Sequence, residues 1–265
     1  MQARLFVTDM DGTLLNNERK ISRGNKHAIK RAVDAGVVFT IATGRMHASV
    51  LPYAKELELE DVPLITYNGA LIKTAGGREL YASYLEEELV RDLLDFARLH
   101  ELHIHLYSDD RIYFRKDDEF AALYQRMCGV PGVVVGDDIY KYTVRVPKML
   151  IIGKTPEETD AAQILVRQEF GGRIEAVKSS PIYVELIRPG VNKATAIARL
   201  AELMEIPAEQ VLAIGDSGND VAMLTSAAIG VAMGNANAEA REAARYMVSD
   251  NEHDGVAEAL ERVCM

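Results

Sequence analysis

Cysteine is nearly absent: Cys128 and Cys264 are the only two in 265 residues, far apart and without ligand spacing. That excludes a disulfide framework or a thiolate metal site and fits a reducing compartment. Also missing is any apolar run of the roughly 18 residues that a bilayer-spanning helix needs. The first residues enter a strand-like run with no basic segment before it, so neither a membrane span nor a secretory leader is expected, and cytoplasm is the default compartment. Positive charge is in deficit, with a formal net charge of −10 and no cluster of Lys and Arg. Phosphate backbones are met by clustered cations, so nucleic acid is not an expected partner. A small phosphorylated metabolite remains possible for an acidic protein, provided a metal and a few basic groups make the local field positive. Internal repeats and low-complexity segments are absent too.

What is present is ample apolar content, 48% of the chain, enough for a sizeable core in one large domain or two ordinary ones. Leu5–Thr8 reads as a buried strand. Ser22 is placed to cap a helix whose Ala28, Ile29, Ala32 and Val33 recur at helical spacing until Gly36, and Val37–Ala42 and Leu64–Tyr67 are further apolar runs. Strand and helix alternate, which marks a parallel α/β sheet. At about residue 82 the rhythm changes. An amphipathic stretch over Glu86–His100 precedes His103–Tyr107 and Arg111–Phe114, which flank Ser-Asp-Asp as a hairpin; Lys148–Ile152, a helix over Thr155–Phe170, Arg173–Val177 and Tyr183–Ile187 follow. Neighbouring strands of this kind indicate α+β. After Arg188-Pro-Gly190 the alternation returns, with strands Val211–Ile214 and Ile229–Ala232 and helical stretches from Lys193, Asp220 and Ala238. The expected organisation is a core of 1–81 and 189–265 interrupted by an insert at 82–188.

Chemistry concentrates at the predicted strand ends. Leu5-Phe-Val-Thr-Asp9-Met-Asp11-Gly-Thr13 carries two aspartates directly after a strand, and Gly215-Asp-Ser-Gly-Asn-Asp220 carries two more. Asp9, Thr43 and Asp216 each follow or end a predicted strand, where ligands bind in open α/β sheets. Carboxylates at close range raise one another's pKa, so a divalent cation is implied. An EF-hand is excluded, because counting from Asp9 puts Gly12 too early and Lys20 where the bidentate Glu belongs. His100, His103 and His105 do not form a tetrahedral ligand set, and a half-exposed strand is the expected setting for the last two. Ile182, Val184 and Leu186 alternate as the packing face of a strand, which accounts for half of the pattern around Lys178–Glu185.

Asp9-Met-Asp11-Gly-Thr13, Thr43-Gly44-Arg45, Lys193 and Gly215-Asp-Ser-Gly-Asn-Asp220, taken in this order, resemble the haloacid dehalogenase-like phosphohydrolase superfamily, and in particular its Cof-type, YidA-like sugar phosphatases. The resemblance covers essentially the whole chain, including Tyr67-Asn-Gly-Ala-Leu-Ile72 and the insert, which is similar to the type IIB cap. It departs in one place: Ala194 stands where the family commonly has Gly after the lysine. The resemblance implies a Rossmann-like parallel α/β core with an inserted α+β cap domain, and a Mg²⁺-dependent phosphatase acting on small phosphomonoesters. It implies Asp9 as the nucleophile that forms an aspartyl-phosphate, and Asp11 as general acid and base, its carboxyl free. Mg²⁺ would lie on Asp9, the Asp11 main-chain carbonyl and Asp216, with Asp220 behind them. Thr43, Gly44, Lys193 and Asn219 would bind the phosphoryl group. Two rivals stay open on sequence: a phosphomutase using the same intermediate, and a non-catalytic phospho-acceptor switch, which would need neither the insert nor Asp11.

Overall fold

The computed structural model describes residues 3–59 and 61–264, and side chains as far as Arg262. The chain forms two compact units: Met1–Arg45, Val50–Tyr81 and Asn192–Met265 in one, Met46–Ser49 and Ala82–Val191 in the other. In chain order the elements begin β1 (Leu5–Thr8), α1 (Arg23–Asp34), β2 (Val38–Ile41), α2 (His47–Glu56), β3 (Pro63–Thr66), β4 (Leu71–Thr74) and β5 (Glu79–Ala82). The second unit follows with α3 (Glu87–Leu99), β6 (His103–Ser108), β7 (Arg111–Phe114), α4 (Glu119–Cys128), β8 (Val133–Val134), β9 (Met149–Ile152), α5 (Pro156–Phe170), β10 (Glu175–Ser180) and β11 (Tyr183–Ile187). The chain then returns through α6 (Lys193–Leu203), β12 (Val211–Gly215), α7 (Val221–Ser226), β13 (Ile229–Ala232), α8 (Ala238–Ala243), β14 (Tyr246–Met247) and α9 (Gly255–Cys264).

The first unit is built on a fully parallel sheet in the order β14-β13-β12-β1-β2. Every residue of β1 is buried, as expected of a strand covered on both faces by helices. Phe6 stacks on Phe39 with ring centroids 5.5 Å apart. Ser22 caps α1 by accepting the Asn25 N–H, and the helix buries Ala28, Ile29 and Ala32, which join the core cluster that also holds Val256 and Leu260 of α9. Because β1 has β12 on one side and β2 on the other, the chain leaves β1 in one direction and comes back in the other. The crevice at that reversal is where the topology sets a ligand site.

The third apolar run departs from expectation. β3 joins β4 and β5 in a separate three-stranded sheet, antiparallel to β4, and meets the strand before it through a single parallel bridge, Ala42 to Ile65. Tyr67 and Asn68 are not strand residues: both take positive φ (53° and 55°) in a tight turn that aims the following segment back along β3.

The second unit has a six-stranded sheet in the order β10-β11-β9-β6-β7-β8, antiparallel but for β7–β8. The expected hairpin is there, with Ser108 paired to Arg111 and Asp109 and Asp110 both at positive φ, the conformation of a two-residue type I′ turn. One sheet face carries Ile104, Leu106, Met149, Ile151, Val184 and Leu186 against α3 and α5. α5 is capped by Thr155 and opens with Pro156, a first-turn position where the missing N–H costs nothing.

The histidine strand is a correction. His103 and His105 are not half exposed: the His103 side chain is 7% exposed and His105 is fully buried. The reason is α4, whose Phe120 and Tyr124 rings sit 4.9 Å from His103 and 4.5 Å from His105. Phe120, Leu123, Tyr124 and Met127 recur at helical spacing along it, although Ala121 alone is fully buried, so the sequence shows an amphipathic helix but not that it lies over the histidines. Among the described residues Cys128 forms no disulfide; the Cys264 side chain lies outside them. Among the described residues no helix is long and apolar enough to cross a membrane.

Candidate active site

Asp9 follows the last residue of β1, and its backbone N–H extends the sheet to Ile214 O at 2.9 Å. Only 5% of it is exposed. The neighbouring strand β12 ends at Gly215, so Asp216 leaves the sheet beside it. Gly12 makes that approach possible: its φ is +77°, and a Cβ there would come within 2.6 Å of an Asp216 carboxylate oxygen. Thr13 donates its hydroxyl to Asp216 Oδ1 at 2.6 Å, and Asn235 Nδ2 donates to Gly12 O at 2.8 Å, which holds the turn in place.

Lys193 is the first residue of α6, whose Asn192 cap accepts the Thr195 N–H. It is 1% exposed. Its ammonium donates to Asp9 Oδ1 and to Asp220 Oδ1 at 2.6 Å. The other Asp220 oxygen accepts the backbone N–H groups of Asp216 and Ser217, each at 3.0 Å. With one oxygen on Lys193 and the other on the β12–α7 turn, Asp220 is a brace for both. Burial is what makes the Lys193 charge costly, but the carboxylates of Asp220 and Asp9 more than offset it and raise its pKa.

Asp9, Asp216 and Asp220 each offer an oxygen within 4.8 Å of the others, and they are the one such metal-capable group among the described residues. Burial first, then the charges of Asp220 and Asp216, drives the Asp9 carboxyl well above the usual range against the pull of Lys193. Burial likewise lifts Asp216 to about 6, with Asp220 adding to the lift and the Thr13 hydrogen bond opposing it. Asp9 and Asp220 are buried and pair with Lys193, and the half-buried Asp216 stands beside them, so the carboxyl groups outnumber the ammonium and the cluster has the charge to hold a divalent cation. An all-oxygen donor set of this kind suits a hard divalent ion such as Mg²⁺, and the residues fit it.

Thr43 is buried and continues the β2 direction, its N–H on Ile65 O at 2.9 Å. Its hydroxyl oxygen accepts the Arg45 N–H at 3.2 Å, which leaves the hydroxyl proton to donate elsewhere. At Gly44 a Cβ would lie 2.8 Å from Asn68 Oδ1, so glycine is needed for the two loops to meet. Asn219 is turned toward its own loop, its Oδ1 accepting from Ser217 Oγ at 2.7 Å.

Asp11 lies beside Arg45. Its carboxyl is engaged: Arg45 Nε donates to Oδ2 at 2.7 Å and Nη2 to Oδ1, a two-pronged ion pair. The Arg45 guanidinium resists burial, but its bonds to Asp11 hold it firmly charged. The Asp11 side chain is 56% exposed, so it has room to turn out of this clamp. Arg45 and Thr13 are the residues that motif reasoning passed over. Both lie inside motifs already recognised, Arg45 two places after Thr43 and Thr13 two after Asp11, and that proximity was the available signal.

The sequence profile of the haloacid dehalogenase-like hydrolases matches residues 6–260. The chain belongs to that family. It is 32% identical over 258 residues to the 5-amino-6-(5-phospho-D-ribitylamino)uracil phosphatase YcsE of Bacillus subtilis, covering 97% of this chain and 94% of that one. To the same organism's 5-amino-6-(5-phospho-D-ribitylamino)uracil phosphatase YitU it is 32% identical over 263 residues, covering 97% and 96%. A haloacid dehalogenase-like hydrolase from Bacteroides thetaiotaomicron superposes with a TM-score of 0.92 at 31% identity, covering 99% of this chain and 100% of the other. A Thermotoga maritima structure gives 0.90 at 30% identity, covering 99% and 98%. The parallel core read from strand alternation is that of these hydrolases, and the enzyme is a phosphatase.

Proposed function

We propose that the protein is a Mg²⁺-dependent phosphatase that hydrolyses small phosphomonoesters, sugar phosphates or related phosphorylated metabolites, through an aspartyl-phosphate on Asp9. The observation that carries this reading is the buried Asp9 at the end of β1, held by Lys193 and crowded by Asp216 and Asp220. Asp9, Asp216 and the Asp11 main-chain carbonyl would hold Mg²⁺, with Asp220 bracing from behind. The ion supplies charge compensation, so that a carboxylate can approach a phosphoryl dianion.

The protein's own groups then divide the work. Lys193 neutralises charge on the phosphoryl oxygens, joined by the Thr43 hydroxyl and the Gly44 N–H. An Asp9 oxygen attacks phosphorus as the bond to the departing alkoxide breaks, and Asp11 gives that oxygen its proton. Between turnovers Arg45 holds Asp11 as an ionised acceptor; turned away from that clamp, Asp11 first takes up a proton from solvent, which is the one it gives the leaving oxygen, and it returns a proton to solvent when the clamp re-forms. In the second step Asp11 takes a proton from water, the water oxygen attacks phosphorus, and the bond to Asp9 breaks to release inorganic phosphate. Asn219 orients this loop. The residue 82–188 insert has the role of the family's cap domain. The relatives named for a phosphorylated ribityl compound support a primary alcohol phosphate as the substrate class. Such metabolites, and the two thiols, fit the cytoplasm.

The test is phosphate release from a panel of phosphorylated metabolites with Mg²⁺, run for the parent and for Asp9→Asn. The variant should be folded by circular dichroism and lose turnover by about a thousandfold or more, since an amide cannot form the acyl phosphate. A folded variant that still turns over would remove Asp9 from the nucleophile's role.

A further inference from the structure

The second unit contains a half-enclosed cavity of about 420 Å³, walled by the end of α3, the start of β6, the β7–α4 loop and the β9–α5 loop, none of which belongs to the first unit. That volume lies within the range of about 300–1,000 Å³ typical of small-molecule sites. Its floor is apolar: Leu94, Ile104 and Ile139 are at most 7% exposed, with Phe120 beside them. The rim is basic in an otherwise acidic protein. Arg98, Arg115, Lys116 and Lys154 line it with Glu101 and Asp118, so four cations converge on one wall where an anion can meet them.

The charges are not all used by the protein. Arg98 and Arg115 have exposed partners in Asp95 and Asp137, whereas neither Lys116 nor Lys154 has a salt-bridge partner among the described residues. His103 adds a second observation. It lines the cavity, its Nδ1 lies 3.0 Å from Asp118 Oδ2, and its buried Nε2 has no hydrogen-bond partner, which costs about 1–3 kcal/mol when nothing else meets it. Burial, reinforced by Lys116 and opposed by Asp118, lowers the His103 pKa, so the imidazole is neutral and the anion is left to the lysines and arginines.

We propose that this cavity is a second ligand site, for a small phosphorylated compound whose apolar or aromatic body rests on Phe120, Ile104 and Ile139 and whose phosphate is held by Arg115, Lys116 and Lys154. The site shares no residue with the Asp9 centre, and the Asp118 carboxylate on its wall is already taken up by His103 and the Ala121 N–H.

Phenylphosphonate is a suitable probe, an aromatic dianion whose carbon–phosphorus bond resists hydrolysis. Titrated into the full-length protein at mildly alkaline pH, it should shift the backbone amides of Leu102–Ile104, Lys116 and Lys154 saturably, with a dissociation constant of about 1 mM or tighter. The double substitution Lys116→Glu/Lys154→Glu should weaken this by about tenfold or more, and Lys116→Gln/Lys154→Gln by less, with turnover of p-nitrophenyl phosphate unchanged in both. The lysines are exposed and unpaired, so the variants should melt like the parent; if the Glu pair fails to fold, the Gln pair alone decides. Absence of saturable shifts at these amides, equal shifts in the variants, or benzoate binding as tightly as the phosphonate would each overturn the proposal.

Discussion

Lys193→Met keeps the length of the side chain and deletes its charge, which isolates what the ammonium does. The side chains of Lys193, Asp9 and Asp220 are 1%, 7% and 0% exposed, so the two carboxylates would be left face to face with little water to screen them. Removing one partner of a buried ion pair costs about 3–5 kcal/mol. Each kcal/mol moves the melting temperature of a domain of this size by about 2–4 °C, so the first unit should melt roughly 6–20 °C lower without added metal. Adding Asp220→Asn tests the cause. The asparagine keeps an oxygen for the Asp216 and Ser217 N–H groups but no longer opposes Asp9, so the double variant should recover about half the loss or more, the non-additivity expected of groups in contact. Turnover should not return, because losing one group that stabilises transition-state charge costs about 10²–10³ in kcat. Calorimetry in a chelating buffer and a Mg²⁺ assay on p-nitrophenyl phosphate read the two effects separately. A single variant that melts with the parent, or a double variant as unstable as the two single changes added, would refute the reasoning.

Asp11→Asn should slow leaving-group release from alkyl phosphates far more than from p-nitrophenyl phosphate, whose phenol departs without a proton; equal losses in rapid-quench measurements would rule Asp11 out as the acid. Ca²⁺ should inhibit, since it takes six to eight oxygens at longer distances and can engage both Asp9 oxygens; undiminished activity as Ca²⁺ is titrated against fixed Mg²⁺ would argue that the nucleophile is not a metal ligand. In the second unit, burial, together with the neighbouring His103 and Lys148, holds the His105 pKa well below its ordinary value. The unfolded chain therefore binds a proton that the native one does not, so stability is full above about pH 6.5 and is lost as pH falls below it. His105→Leu should flatten the melting temperature of that unit between about pH 7 and 5, and an unchanged slope would show that the buried imidazole does not set the acid response.

The polar and apolar rhythm of the chain was enough to reveal the parallel sheet. β1 is apolar throughout and Ser22 and Thr155 cap their helices, so these elements depend on neighbours in sequence. The same holds for the hairpin around Asp109 and Asp110, whose turn chemistry is local. β3 was legible as a strand but not in its pairing, because an apolar run does not say whether the next turn sends it into the parallel sheet or, as Tyr67 and Asn68 do, back into an antiparallel one.

Asp9, Asp11, Asp216 and Asp220 could be singled out by sequence because they stand in two motifs of fixed spacing that each follow a strand. Their electrostatics could not. Lys193 is 184 positions from the carboxylate it holds, and only the placement of α6 beside β1 and β12 makes it a buried counter-ion rather than an exposed lysine. The Arg45 clamp on Asp11, the burial of His103 and His105 under α4, and the basic cavity drawn from four separate segments are of the same kind. Charge, burial and hydrogen bonding act through distance in space, and folding sets those distances between residues whose separation along the chain carries no trace of them.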